Sequence, residues 1–134
     1  WMSMKYINTD VDLHSKGSLE RLGSYLEERS DLLHCGQLDG SWNIRIEAAG
    51  SGIVGSKHRH PESDIKKLIL LLKEAKALFP GEFNALEHFE FNIGLNAPLA
   101  HPAEVVAVSC GILTELSELG ACLGVTVYPA EQES

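Results

Sequence analysis

Four acidic side chains occupy alternating positions in three segments that have the period of β-strands. Asp10 and Asp12 alternate with apolar residues in one segment, and Glu47 and Glu90 do so in two others. Because side chains two residues apart lie on the same face of a strand, we expect all four on one face of a sheet. Close carboxylates can bind a divalent cation, share a proton in acid–base catalysis or attract a basic partner.

Two tyrosines fall into the same alternation as these carboxylates. Aromatic anchors beside steering charges are typical of protein-docking surfaces, whereas an ordinary solvated sheet face is the competing interpretation. The candidate partner-binding residues are therefore Tyr6, Asp10, Asp12, Glu47, Glu90 and Tyr128.

Catalysis at this cluster is the less favoured alternative. The sequence contains no Walker A loop, no GxSxG and no HExxH motif. A flat, exposed sheet also lacks the concave, water-excluded surroundings that acid–base catalysis uses. We expect a protein that is not an enzyme and needs no cofactor. The alternative is a small enzyme, or a metal- or ligand-binding domain, that uses the carboxylate cluster.

Two further groups of side chains could in principle ligate zinc. His58, Arg59 and His60 precede Glu62 in one segment, and a His–Cys pair stands at residues 34–35. Neither spacing matches a standard zinc site, so no metal is predicted. The three cysteines form no CxxC motif and have apolar neighbours, which predicts buried, reduced thiols. These cysteines are Cys35, Cys110 and Cys122.

Length and charge exclude several classes of protein. The chain has 134 residues, of which 44% are hydrophobic, and this is enough for one domain spanning 1–134. Its net charge of −8 and its scattered basic residues disfavour nucleic-acid binding. No apolar run approaches the roughly 20 residues of a membrane-spanning helix. The first residues lack a secretory signal, so a cytoplasmic location is expected, with residues 1–4 a tag remnant or disordered.

Apolar periodicity predicts four strands and three helices in the order βαβ, helix, βαβ. A glycine-rich segment at 50–60 is predicted to be a flexible loop. The predicted strands cover 5–13, 42–48, 88–96 and 121–128, and the predicted helices run from Ser18 to Gly36, from Pro61 to Phe79 and from Pro102 to Leu119.

Each predicted strand has one apolar and one more polar face. A parallel sheet covered on both sides would instead have continuous apolar runs. The sequence therefore predicts an α/β (α+β) two-layer sandwich, in which three helices cover one face of a four-stranded sheet and the other face is open.

Three fragments resemble a group of small bacterial α/β proteins. They are Lys5-Tyr6-Ile7-Asn8-Thr9-Asp10, Glu90-Phe91-Asn92-Ile93-Gly94 and Val125-Thr126-Val127-Tyr128-Pro129. Some members of that group look like immunity proteins of toxin/immunity systems, including those of contact-dependent growth inhibition. The resemblance implies a cytosolic protein that binds and neutralises a cognate toxin domain, for example a basic nuclease, without chemistry or a cofactor. The resemblance assigns no functional residue. Independently of the resemblance, we expect a monomer or a homodimer.

Overall fold

The computed structural model describes residues 5–49, 60–97 and 105–129. The residues predicted as a tag remnant, 1–4, and nearly all of the predicted loop, 50–59, lie outside these ranges. Within the described residues, five strands and four helices follow one another. They are β1 (Lys5–Ser15), α1 (Glu20–Glu27), β2 (Asp31–Leu38), β3 (Ser41–Glu47), α2 (Pro61–Leu78), α3 (Pro80–Asn84), β4 (Leu86–Ala97), α4 (Cys110–Leu119) and β5 (Cys122–Pro129).

The strands form one mixed sheet in the order β2-β3-β1-β4-β5. The central strand, β1, is antiparallel to both β3 and β4, and β2 is antiparallel to β3. Only β4 and β5 pair in parallel among the described strands, and α4 lies in the connection between them. The mixed α/β class is confirmed, but a sheet of four strands with three helices is wrong in detail.

The additional strand is β2, which the sequence analysis placed inside the first helix. That helix ends at Glu27, after Leu22 and Leu26 are buried at helical spacing. The chain then forms a tight hairpin, whose two turn residues Asp39 and Gly40 have φ angles of 52° and 80°. Asp-Gly suits such a turn because both positions need positive φ, which is costly for most other residues.

The helix boundaries differ from the predictions at two further places. Pro80 ends α2, as predicted, but it also begins the short helix α3. Helix α4 begins at Cys110 rather than at Pro102, which lies outside the described residues. Ser109 caps α4 by accepting a hydrogen bond from the backbone N–H of Ile112 at 3.4 Å. A serine oxygen satisfies a donor that the first turn leaves unpaired, which fixes the start of the helix there.

The hydrophobic core lies between one face of the sheet and the helices. Alternate residues of β1, β3 and β4 are buried on this face, as the period of two requires. The opposite face, called the open face below, carries partly exposed polar side chains. The central core residues are Val11, Leu13, Leu22, Leu26, Ile44, Ile46, Ile65, Leu68, Leu72, Phe91, Ile93, Ile112 and Leu116.

The three cysteines are free and exposed, so the prediction of buried thiols is wrong. Cys35 lies on the edge strand β2, and Cys110 and Cys122 are the first residues of α4 and β5. Apolar neighbours in sequence do not bury a residue that stands at the margin of an element. Among the described helices, none has the length and apolar character needed to cross a membrane.

Candidate functional site on the open sheet face

The central position of β1 brings the predicted carboxylates together. Asp10 is the register partner of Glu47 on one side, and Asp12 is the register partner of Glu90 on the other. Directly opposed side chains on neighbouring strands have Cβ atoms about 4.5–5.5 Å apart. Four of the six predicted site residues therefore form one acidic patch on the open face.

Two of these carboxylates have polar partners within the sheet. Asp12 receives two hydrogen bonds from Arg45, with Nε 2.7 Å from Oδ1 and Nη2 3.5 Å from Oδ2. This contact, together with the charge of Asp12, raises the pKa of the Arg45 guanidinium. Glu47 accepts a hydrogen bond from the amide of Asn8 at 2.5 Å. Among the described residues, the guanidinium nearest these carboxylates is that of Arg45, and it is bonded to Asp12.

Asp10 differs from Asp12 and Glu47 in its electrostatic surroundings. Its pKa is raised, first by partial burial and then by the negative charges of Asp12 and Glu47, while Arg45 offsets part of the effect. The Asp10 carboxyl has no hydrogen bond or ion pair with another side chain in the described part of the chain. Within the described residues, this patch therefore contains a partly desolvated carboxyl group whose main charged neighbours, apart from Arg45, are themselves acidic.

Histidines border the patch. None of them was predicted as a partner-binding residue, although His88 falls in the predicted alternation of the open face. The rings of His14 and His88 face each other across β1 and β4, with centroids 4.8 Å apart, and Nε2 of His88 is 4.0 Å from Oε2 of Glu90. His34 is the register partner of Arg45. His14 continues the alternation of β1 beyond Leu13, which was a usable signal, whereas finding His34 required the recognition of β2.

A groove of about 440 Å³ runs over the β2, β3 and β1 part of the open face. The expectation of a flat face is therefore wrong. A bulge between Leu32 and His34 interrupts the register of β2, and bulges bend a strand and increase its twist. The groove is lined by Asp10, Asp12, His14, Leu33, His34, Leu38, Asn43, Ile44 and Arg45.

Tyr6 does not lie on the open face, although the sequence analysis placed it there. A register irregularity between Tyr6 and Asn8 turns this side chain towards the helices. Its hydroxyl donates a hydrogen bond to Oδ2 of the buried Asp64 in α2, and it lies 2.8 Å from Oγ1 of Thr9. One extra residue in a strand moves the side chains of all the residues before it to the opposite face of the sheet. The alternation in the sequence therefore predicted the wrong face for Tyr6.

Tyr128 lies on the open face but is not among the residues that line the groove. This tyrosine is on the outer strand β5, where it pairs with Asn96 of β4, and its side chain is about half exposed. The structure thus brings the four carboxylates together, places Tyr128 at the margin of the same face and removes Tyr6 from it.

The possible zinc ligands that lie within the described residues form no metal site. His34 lies on the open face, whereas Cys35 packs towards α1, where a Cβ atom on Gly23 would stand 2.5 Å from its Sγ atom. Residues 58 and 59 lie outside the described ranges. Among the described residues, no group of three or more His, Cys, Asp or Glu side chains is placed to hold a metal ion.

The segment after β3 contains one further pattern of glycines. Gly50, Gly52 and Gly55 have the GxGxxG spacing of dinucleotide-binding loops, but they lie outside the described residues. Such a loop joins a strand directly to a helix whose N-terminus meets the phosphates, beside a parallel strand. Here α2 begins only at Pro61, and both neighbours of β3 are antiparallel to it. The described sheet does not supply the required context.

Comparison with known proteins adds no assignment. No protein-family model, no curated protein and no solved structure matches this chain.

Proposed function

We propose that this chain is an immunity-type protein, which binds a basic toxin domain on its open face and neutralises it without catalysis or a cofactor. The observation that carries the proposal is the acidic, grooved sheet face that the described helices leave uncovered. We place this activity in the cytoplasm, where such a protein would meet its toxin.

The charge of the open face favours a basic partner. Within the described acidic patch, Asp10, Asp12, Glu47 and Glu90 stand against the guanidinium of Arg45, so these five side chains together carry a formal charge of −3. Complementary charge accelerates association and makes it sensitive to salt. Two copies of this face would repel each other, which disfavours a homodimer stacked through it.

Apolar contact area is available beside this charge. Leu33 and Leu38 of β2 line the groove and are 49% and 55% exposed. Exposed leucines next to a concave polar site are features of docking surfaces, where an apolar centre is surrounded by polar groups.

Co-expression tests the proposal. The toxic domain would be taken from the gene that precedes this one in its genome, and we expect this chain to restore the growth of cells that produce the domain. A triple variant of the open face should weaken binding by about tenfold or more, because three steering charges are removed. It combines Asp10→Asn, Asp12→Asn and Glu90→Gln. The matched control combines three exposed helix positions, Glu27→Gln, Glu74→Gln and Glu118→Gln, and should leave affinity nearly unchanged.

Two outcomes would contradict the proposal. The first is a neighbouring toxic domain that this chain neither binds nor neutralises. The second is an equal loss of affinity in the open-face variant and in its helix-face control, because only the total charge of the chain would then matter.

A ligand-binding or enzymatic role is the second candidate, and the groove itself favours it. Asp10, His14 and His34 provide proton donors and acceptors in a concavity of about 440 Å³, within the usual range for small-molecule sites. A thermal-shift screen against divalent cations and common metabolites would detect such a ligand, since binding to the folded state raises its melting temperature. An unchanged melting temperature throughout the screen would remove this candidate.

A further inference from the structure

We infer that the groove on the open face receives an arginine side chain of the bound partner, an inference that rests on the proposed docking role of this face. The groove has an acidic wall on β1 and an apolar rim on β2. An arginine combines a planar cation with an apolar stem, and it therefore matches both surfaces.

The acidic wall contains one carboxylate, that of Asp10, which is not held by a basic side chain among the described residues. Asp12 is held by Arg45, whose Nε lies 2.7 Å from Oδ1. Asp10, two residues earlier on the same face of β1, has no such partner in the described ranges, and its charge is opposed by burial and by Asp12. A guanidinium placed beside Asp10 would offset the repulsion between these two carboxylates. It would also form a charge-assisted hydrogen bond in partly desolvated surroundings.

The opposite rim suits the stem of the same side chain. Leu33 and Leu38 both line the groove from β2 and are about half exposed. The bulge after Leu32 places Leu33 and His34 together against the single partner Arg45. An arginine that enters from β2 would pack its methylene groups on Leu33, the rim leucine nearer the acidic wall, and extend its guanidinium towards Asp10.

Arginine fits this site better than lysine for two reasons. A guanidinium is less strongly hydrated than an ammonium group, so less free energy is lost when it enters a partly buried groove. Its planar fork can contact Asp10 and the remaining acceptor sites of Asp12 at the same time. Arginine is also enriched among the residues that dominate the free energy of protein association.

Nuclear magnetic resonance titration of the full chain tests the inference with a defined probe, N-acetyl-L-arginine amide. We expect saturable shifts at the amides of Asp10, Leu33 and Arg45, smaller ones with N-acetyl-L-lysine amide and none with N-acetyl-L-citrulline amide. The citrulline probe has the same shape without the charge. Salt of about 0.5 M should weaken the binding, because it reduces the Debye length to a few ångströms.

Variants make the test specific to the groove. Asp10→Asn should weaken binding of the arginine probe by about tenfold, the usual effect of losing a hydrogen bond to a charged group. Glu74→Gln removes the same charge from the exposed face of α2 and should leave the dissociation constant unchanged.

Three outcomes would overturn the inference. They are equal shifts with citrulline, equal affinity for the lysine probe, and non-saturating shifts spread over all acidic surfaces. The proposed function can fail separately. If the arginine probe binds in the groove but the neighbouring toxic domain is not neutralised, the groove chemistry stands and the immunity role is rejected.

Discussion

Replacement of Asp10 by asparagine is expected to stabilise the protein at neutral pH. The pKa of Asp10 is raised above its ordinary value of 3.8, chiefly by burial and by Asp12. The folded state therefore binds this proton more tightly than the unfolded chain does. Protonation of Asp10 therefore contributes to the stability of the fold. This contribution is complete below the pKa that Asp10 has in the unfolded chain, and it is lost as the pH rises through the pKa of Asp10 in the folded protein. At pH 7 the charged side chain destabilises the fold, and a neutral amide of the same shape does not.

The expected gain is modest because Asp10 is only partly buried. Repulsion from Asp12 and Glu47 raises its free energy, and attraction to Arg45 cancels part of this. Exposed charge pairs of this kind contribute roughly 0.2–1 kcal/mol each, so the net gain of Asp10→Asn is about 0.5–1 kcal/mol. For a domain of this size, the melting temperature should rise by about 2–4 °C.

Thermal unfolding followed by circular dichroism at two pH values is the assay. The gain should be present at pH 7 and should vanish near about pH 3.5, where the carboxyl of the unsubstituted protein is itself largely protonated. Glu74→Gln makes the same change of net charge at an exposed helix position and serves as the control. A lower melting temperature for Asp10→Asn at pH 7, or a gain that persists unchanged at low pH, would refute the reasoning.

Two further predictions concern positions away from the groove. Gly120 ends α4 with a φ of 82°, so Gly120→Ala should destabilise the fold by about 1–2 kcal/mol. Gly111→Ala should be neutral or stabilising, because the added Cβ meets nothing within 4 Å and alanine favours the helix. Urea denaturation measures the difference, and equal effects would contradict the strain argument. Tyr6→Phe should destabilise by about 1–3 kcal/mol because buried Asp64 loses a donor, while Tyr128→Phe should have little effect on stability. Partner affinity should be unchanged in Tyr6→Phe, and a specific loss of binding without unfolding would place Tyr6 back at the interface.

The comparison of β2 with α2 explains which elements could be predicted from sequence. Helix α2 has a long, uninterrupted apolar stripe between two proline signals, and its predicted start at Pro61 is confirmed. The segment before Gly36 has leucines at positions that fit either a helix or a strand. The decisive local signal was the turn pair Asp39 and Gly40, whose hairpin requires a strand on each side.

The candidate site was predictable only where the strand alternation is unbroken. Asp10 and Asp12 lie in the regular middle of β1, and the structure places them together as expected. Tyr6 lies beyond the register irregularity of β1, and the residue types in this segment do not predict a bulge. The groove lies beside another bulge, between Leu32 and His34. Bulges bend a strand, and the period of two cannot reveal where they occur.

Asp10 connects the stability of the fold with its proposed role. A neutral amide would serve the sheet better, yet the chain carries a partly buried carboxylate between like charges. Groups that are unfavourable in the free protein gain most when a partner supplies the missing charge, because the repulsion is relieved only in the complex. If the groove binds a cation as proposed, the same repulsion that lowers the stability of the free sheet would favour that cation.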